Sequence, residues 1–311
     1  MTGRFAPSPT GRMHLGNVYS ALLSWLSARS QGGNWLLRIE DLDPQRSHRE
    51  FAEQLEDDLR WLGLTWDMGG THDPLYVQSR RGHFYEEHLE LLQQKGLTYP
   101  CYCSRADIMA TQAPHESDGR VVYRGTCRPD GTPEKAEWLR RRALACPHAP
   151  ATRLRVPDCD IRFTDLHYGA QSFNLARQCG DFILRRADGA WAYQLAVVVD
   201  DALMHVTEVV RGRDLLQSVP QQLYLYETLG YEAPRFGHLP LLCNTAGQRL
   251  SKRDQSLHMG ILRQSFRAEE IIGRLAHHAG LIDRCEPVSA AELIPLFRWD
   301  KLPMDDIIIA G

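Results

Sequence analysis

No apolar run in the sequence can cross a bilayer. Its longest aliphatic stretches, such as LAVVV (195–199), fall far short of the ~20 residues a spanning helix needs. The N-terminus reaches Gly3 and Arg4 without the apolar segment of a secretion signal. A cytoplasmic protein with no membrane contact is therefore expected. There the eight cysteines read as thiols or metal ligands, not disulfides. Basic charge is not in excess. The net charge of −3 excludes a general nucleic-acid coat and confines any RNA contact to a local patch. Internal repeats and low-complexity tracts are absent, which excludes solenoids and tails. The glycines of RFAPSPTGRMHLGN (4–17) also lack the lysine that follows them in a phosphate-cradling P-loop. What is there is an ordinary globular composition, 43% hydrophobic and 24% charged over 311 residues. That suffices for one large or two ordinary domains.

The order of elements predicts an α/β fold with a parallel sheet. A strand at RFAP precedes a helix over 15–30, whose Leu15, Val18, Leu22, Trp25 and Leu26 recur at helical spacing. NWLLRIED (34–41) reads as a buried strand. Helices follow with Phe51, Leu55, Leu59 and Leu62 on one face, and over 79–95. From Tyr99 the texture becomes loop-rich, with four cysteines in 99–150. A helix at 133–145 and short strands at 152–156, 161–166 and 181–186 are expected there, with an Asp188-Gly189 turn. The helix–strand rhythm returns at 192–201, 204–212, 213–229 and 236–242. A polar loop, NTAGQRLSKRD, comes next, and the tail from Ala268 reads as helical.

Two stretches carry chemistry. HLGN (14–17) stands where a strand gives way to a helix. Gly11 and Gly16 remove Cβ atoms, so a nucleotide can approach, and the helix N-terminus offers N–H groups and a positive dipole to phosphate. His14 can donate to a phosphate oxygen. RLSKRD (249–254) is a cationic loop after a strand of the second α/β half. Its Lys252 can stabilise charge on a triphosphate, in chemistry that is mostly positioning and electrostatics. Each stretch alone is weak, since a Pro/Gly turn or a solvated basic face would look alike. Together they are informative.

FAPSPTG-x-x-HLGN and RLSKR resemble the two signature motifs of class I aminoacyl-tRNA synthetases. RFAPSPTG, LRIEDLDPQRS, YQLAVVVDDALMHVTEVVRGRDLL, LPLL and WDKLP resemble the glutamyl branch. The resemblance implies a Rossmann-like catalytic domain in two halves, 1–98 and 189–258. Between them lies an inserted acceptor-type module, 99–188, with a zinc site, and a small helical region, 259–311, follows. The glutamyl enzymes continue into an anticodon-binding part, whereas this chain ends at Gly311. It thus resembles the truncated glutamyl-queuosine tRNA(Asp) synthetase family. That implies ATP-dependent activation of L-glutamate, with Mg²⁺ accompanying ATP, and transfer to the queuosine base of tRNA(Asp). A monomer is expected. A compact enzyme charging a tRNA 3′ end, a nucleotidyltransferase acting on a small acid, and a non-catalytic tRNA-binding paralogue are the alternatives. Asn17 departs from the histidine that closes the first motif.

A glutamate site needs about two cations and one anion, with arginine favoured for carboxylates. Arg4 and Arg211 supply the cations and Glu40 the anion for the ammonium. Ser8 and the backbone of Phe5, Ala6, Pro7 and Ser8 can hydrogen-bond the ligand, and the Tyr193 hydroxyl can close the site. These positions match the glutamate-binding residues of the resembled family. Arg4 with Glu40 as a structural ion pair, and Tyr193 as core packing, are the plainer readings. For ATP, the resemblance implies His14, Gly16, Asn17 and Lys252, with His14 and Lys252 catalytic. In the insertion, Cys101 and Cys103 can bite one ion and Cys127 can reach it, leaving one tetrahedral position open. Tyr123 matches the fourth ligand of the resembled family, while His115, Cys146 and His148 compete for it. Arg105, Arg120, Arg124, Arg128 and Arg140–Arg142 offer an RNA-facing patch or a solvated face.

Overall fold

A computed structural model describes residues 1–110, 122–250 and 257–309. Its first half runs β1 (Thr2–Phe5), α1 (Leu15–Ser30), β2 (Asn34–Leu37), α2 (Arg49–Trp61), β3 (Met68–Gly69) and α3 (Gly82–Gln94). The insertion holds β4 (Thr98–Cys101), α4 (Arg105–Ala110), α5 (Pro133–Ala145), β5 (Ala151–Leu154), β6 (Asp160–Asp165), β7 (Gly169–Asn174) and β8 (Phe182–Arg185). The second half follows with α6 (Tyr193–Leu203), β9 (Glu208–Gly212), α7 (Val219–Leu229), β10 (Arg235–Leu239) and β11 (Leu242–Cys243). The tail adds α8 (Met259–Ser265), α9 (Ala268–His278) and β12 (Ile307–Ile308). No described helix is long and apolar enough to cross a membrane.

The central sheet has the order β10-β9-β1-β2-β3 and every pairing is parallel. This is the α/β parallel sheet that the alternation of strands and helices predicts. The chain leaves β1 towards β2 on one side, and β9 returns to its other side some 200 residues later. That reversal opens a crevice at the carboxyl ends of β1 and β9, where open α/β sheets bind ligands. Buried α1 packs over it, with Val18, Leu22 and Leu26 fully enclosed as their spacing predicts. β4, β5 and β8 form a separate antiparallel sheet, and β6 and β7 a hairpin.

Four local expectations change. The second strand stops its ladder at Leu37, and Ile39 makes only an isolated bridge to Val77. β7 is an additional strand: GAQSFN has almost no β-branched residues, so its pattern gave little strand signal. The expected helix over 213–229 is a 3₁₀ turn (Arg213–Ser218) followed by α7, with Pro220 in the first turn, where it removes no needed N–H. The strand near 236–242 is two strands, broken at Pro240, and β11 pairs in parallel with β12. The tail is therefore helical first and extended at its end.

The tail shares one core with the first half. Ile271, Leu275 and Phe297 pack with Leu22, Leu55 and Leu59. α9 lies so close to the segment after it that a Cβ on Gly273 would fall 1.9 Å from the Glu286 carbonyl oxygen. In an isolated helix, Gly→Ala stabilises by about 1 kcal/mol. Gly273→Ala is expected to do the opposite, lowering the melting temperature by several degrees. A calorimetric scan giving an equal or higher value would contradict that packing.

Candidate active site

A cavity of 430 Å³ occupies the crevice between β1 and β9. Arg4 and Phe5 leave β1 to line it, Ala6, Pro7 and Ser8 continue its floor, and Glu40 stands beyond β2. Tyr193 enters from the start of α6 and Arg211 from β9. His14 and Asn17 face it from the start of α1. These sequence-predicted residues, 200 positions apart at the extremes, line one space.

α1 begins with a reciprocal cap. His14 Nδ1 accepts from the Gly16 amide at 3.1 Å, and Asn17 Oδ1 accepts from the His14 amide at 3.1 Å. Neutral His14 must then carry its proton on Nε2. A Cβ on Gly16 would sit 3.0 Å from the His14 ring, so Gly16 first makes room for the imidazole. The expected open row of N–H groups is narrower than the sequence suggested. The Asn17 and Val18 amides also donate inwards, to the His14 carbonyl at 2.8 and 3.2 Å.

Arg211 is buried and held on four sides. Its Nε donates to His238 Nε2 at 3.1 Å, Nη1 to the Tyr193 hydroxyl at 3.3 Å, and Nη2 to the Leu215 carbonyl and Gln222 Oε1 at 3.2 and 2.9 Å. One of its five N–H groups is left over, on Nη1. Tyr193, having accepted from Arg211, keeps its own hydrogen to donate. The pair thus presents one N–H and one O–H, a two-point cradle for a carboxylate. Arg4 is also buried but more loosely engaged, 3.5 Å from the Val210 carbonyl and 3.6 Å from Asp201.

Behind this wall lies a buried ionic network that sequence reasoning missed. Arg38, fully enclosed, meets Asp201 at 2.6 Å, Glu40 at 3.0 Å and Asp200 at 3.8 Å. Asp200 also takes Arg81 at 2.6 Å and the Gln78 and Tyr85 side chains at 2.8 Å. Burial pushes the Glu40 carboxyl above its ordinary range, although Arg38 and Arg4 pull it down. Glu40 therefore does not pair with Arg4 directly; its partner is Arg38. The signals were an arginine inside the apolar LLRIE run and an Asp-Asp pair closing the apolar LAVVV helix.

Lys252 lies outside the described residues, as do His115 and Arg120. The flanks of the Lys252 loop abut the first motif. Met259 donates its amide to the Met13 carbonyl at 2.9 Å, His258 bridges His14, and Leu250 lies against Gly16.

In the insertion, Cys101, Cys103 and Cys127 bring their sulfurs within 4.8 Å of one another. Cys103 and Cys127 sulfurs are 3.5 Å apart, and Tyr123 Oη stands 3.4 and 3.9 Å from Cys101 and Cys103. Thiolates around zinc at about 2.3 Å would have tetrahedral edges of about 3.8 Å, so the four groups fit such an ion. Tyr123 Oη accepts from the Cys127 amide at 2.6 Å, but burial and the neighbouring Cys101 push the phenol well above its ordinary range. Contacts from Cys127, then Tyr123, bring the Cys101 thiol down to about 4 against the effect of burial. Cys146 and His148 pair with each other, 3.4 Å apart, at the exposed surface. Among the described residues only the three cysteines form a metal-ready group. Of the basic residues, Arg140 and Arg141 pair with Glu137, Arg142 with Asp107 and Arg128 with Asp181.

A family model described as class I tRNA synthetases (E and Q), catalytic domain, matches residues 1–274. A protein named glutamyl-Q tRNA(Asp) synthetase from Symbiobacterium thermophilum is 50% identical over 99% of this chain and 96% of its own length. The chain belongs to the glutamyl-Q tRNA(Asp) synthetases. A Neisseria meningitidis serogroup C member of that family is 48% identical over 97% of each chain. Among solved structures, a glutamate tRNA ligase from Elizabethkingia meningosepticum, in complex with its amino acid, is similar with a TM-score of 0.80 at 30% identity. The match covers 99% of this chain and 66% of that one. A glutamate-tRNA synthetase from Elizabethkingia anophelis gives 0.81 at 29%, with 68% of its length covered. This glutamyl-Q family member thus spans about two thirds of the glutamyl enzymes it resembles.

The network behind the cavity can be tested by stability. Arg38→Met would leave Glu40, Asp200 and Asp201 short of a buried cation, a loss of about 3–5 kcal/mol. Without Arg38, which pulls it down, burial would hold the Glu40 carboxyl still further above its unfolded value, so the deficit should grow as pH rises through it. Urea unfolding should show a larger deficit near pH ~8 than near pH ~5.5. A deficit that shrinks with rising pH would contradict this account.

Proposed function

We propose that the chain condenses L-glutamate with ATP to glutamyl-adenylate and transfers the glutamyl group to the queuosine base in the anticodon of tRNA(Asp). The observation that carries this reading is the cavity at the β1/β9 crevice. In a chain of the glutamyl-Q tRNA(Asp) synthetase family, it sets two buried guanidiniums and one carboxylate beside the HLGN turn. Glutamate presents the complementary charges. Its side-chain carboxylate fits the Arg211 Nη1–H and Tyr193 O–H pair. Its ammonium fits Glu40, with Arg4 and Ser8 completing the shell. Glutamine would place an amide NH₂ against donors, leaving one of them buried and unmatched.

The glutamate α-carboxylate attacks the α-phosphorus of ATP, which arrives with its Mg²⁺. Pyrophosphate leaves, and the charge that builds on it is met by Lys252, His14 and the positive end of the α1 dipole, with Gly16 and Asn17 shaping that end. A hydroxyl of the modified base then attacks the acyl carbon of the mixed anhydride; the acyl–phosphate bond breaks, AMP leaves and the hydroxyl proton is released. No protein nucleophile is required. We assign residues 1–98 and 189–258 to the catalytic fold, 99–188 to the acceptor-facing module and 259–311 to its support, in a cytoplasmic monomer. A zinc ion held by Cys101, Cys103, Cys127 and Tyr123 would cross-link the module, whose own cluster holds few apolar side chains.

Radiolabelled glutamate with ATP should mark tRNA(Asp) that carries queuosine and leave tRNA(Asp) lacking it blank. Equal labelling of both, or label on the 3′ end of a glutamate tRNA, would overturn the assignment. Metal analysis after gentle purification should find close to one zinc per chain, and Cys127→Ala should lose it. Less than ~0.5 per chain in the unaltered protein, with folding indifferent to chelator, would remove the zinc.

A further inference from the structure

Arg211 is aimed by residues that do not line the cavity. His238, on β10, is fully buried, and its Nε2 accepts from Arg211 Nε at 3.1 Å. An imidazole nitrogen can accept only if it carries no proton. The other nitrogen, Nδ1, stands 2.6 Å from Asp165 Oδ2, a carboxylate that can only accept. The proton must therefore sit on Nδ1. Asp165 comes from the inserted module, at the end of β6, and it too is buried. Its second oxygen, Oδ1, takes three backbone amides, from His167 at 3.0 Å, Tyr168 at 2.9 Å and His238 at 3.2 Å.

The geometry points to Asp165 and His238 as positioning residues for amino-acid selection: the inserted module fixes the His238 tautomer, and that tautomer turns the Arg211 guanidinium so that its remaining N–H faces the ligand carboxylate. The inference rests on the glutamate-activating reading of the same cavity. Burial, assisted by Arg211 and Arg4, brings His238 down to about 4 despite Asp165, so the imidazole is neutral at physiological pH. A neutral ring has one donor and one acceptor, and here both are assigned. Were the tautomer reversed, His238 Nε2–H and Arg211 Nε–H would face each other as two donors. The guanidinium would have to turn away, taking with it the cradle it shares with Tyr193.

Asp165→Asn makes that reversal. Three amides demand an acceptor at the Oδ1 position, so the Asn side-chain NH₂ is forced to the position facing His238 Nδ1. Nδ1 must then accept, and the proton moves to Nε2. The expected result is a glutamate KM in pyrophosphate exchange raised roughly tenfold to a hundredfold, with the KM for ATP within about twofold of the unaltered enzyme. His238→Gln, whose amide oxygen can accept from Arg211 while its NH₂ donates to the Asp165 carboxylate, should stay near the unaltered glutamate KM. Asp165→Asn combined with His238→Gln should keep the loss, because the Asn NH₂ would then face the Gln NH₂ whenever the Gln oxygen accepts from Arg211. Nitrogen chemical shifts of ¹⁵N-labelled histidine should report protonated Nδ1 in the unaltered protein and protonated Nε2 in Asp165→Asn. If Asp165→Asn does not fold, His238→Leu against His238→Gln makes the same comparison: only the leucine should raise the glutamate KM. A proton found on Nε2 in the unaltered protein, an unchanged glutamate KM, or equal rises for glutamate and ATP would overturn the inference. Absence of any glutamate-dependent exchange in the unaltered protein would instead remove the activity reading, and the nitrogen shifts would still decide the tautomer.

Discussion

The site depends on charges held where water does not reach. Asp201 lies between Arg4 and Arg38, and Asp200 gathers Arg81, Tyr85 and Gln78 beside it. Both aspartates come from α6, while Arg4 and Arg38 come from β1 and β2. A buried guanidinium without a carboxylate is costly, and so is the converse. The helix of the second half is thereby tied to the strands of the first at one depth and one rotation. That same helix brings Tyr193 to the cavity. Arg4 and Glu40 do not need a fixed partner in each other, because each is already anchored through Asp201 or Arg38.

In the proposed glutamate site, saturation of donors gives the cavity its selectivity. A free arginine could swing to meet several ligands. Arg211, with four N–H groups engaged, offers one direction only, and the Tyr193 hydroxyl adds a parallel one. The loosely held Arg4, opposite, tolerates more variety. The two guanidiniums, alike in sequence terms, thus do different work: one measures and the other attracts. At the nucleotide end the same economy holds, since His14 both caps α1 and occupies the hollow that Gly16 leaves.

Much of this was legible in the sequence, for physical reasons that differ by element. α1 is local, so periodicity and the Pro/Gly punctuation before Leu15 located it, whereas its His14–Asn17 cap was not read. The parallel sheet followed from alternation alone. Arg4, Glu40, Tyr193 and Arg211 were named together by resemblance, since no periodicity joins residues 4 and 211. Other features could not be read locally. Arg38 meets Asp201 across 163 positions, a pairing that leaves only two oddly placed charges in apolar runs as its trace. β7 was invisible because its polar faces lack strand formers. The 3₁₀ turn before Pro220 kept the helical pattern without the helical geometry. His238 in RFGHLP carries no motif, and only the fold brings it between Arg211 and Asp165 of the insertion hairpin.

The bond from Asp165 to His238 has a further meaning for how such a chain can be rebuilt. The two residues sit on opposite sides of the seam between the inserted module and the nucleotide fold. A graft that brought in a module without a carboxylate at the Asp165 position would change which nitrogen of the His238 ring bears a proton. The seam is therefore not a neutral cut. Modules can be traded here only where carboxylate and imidazole are kept together.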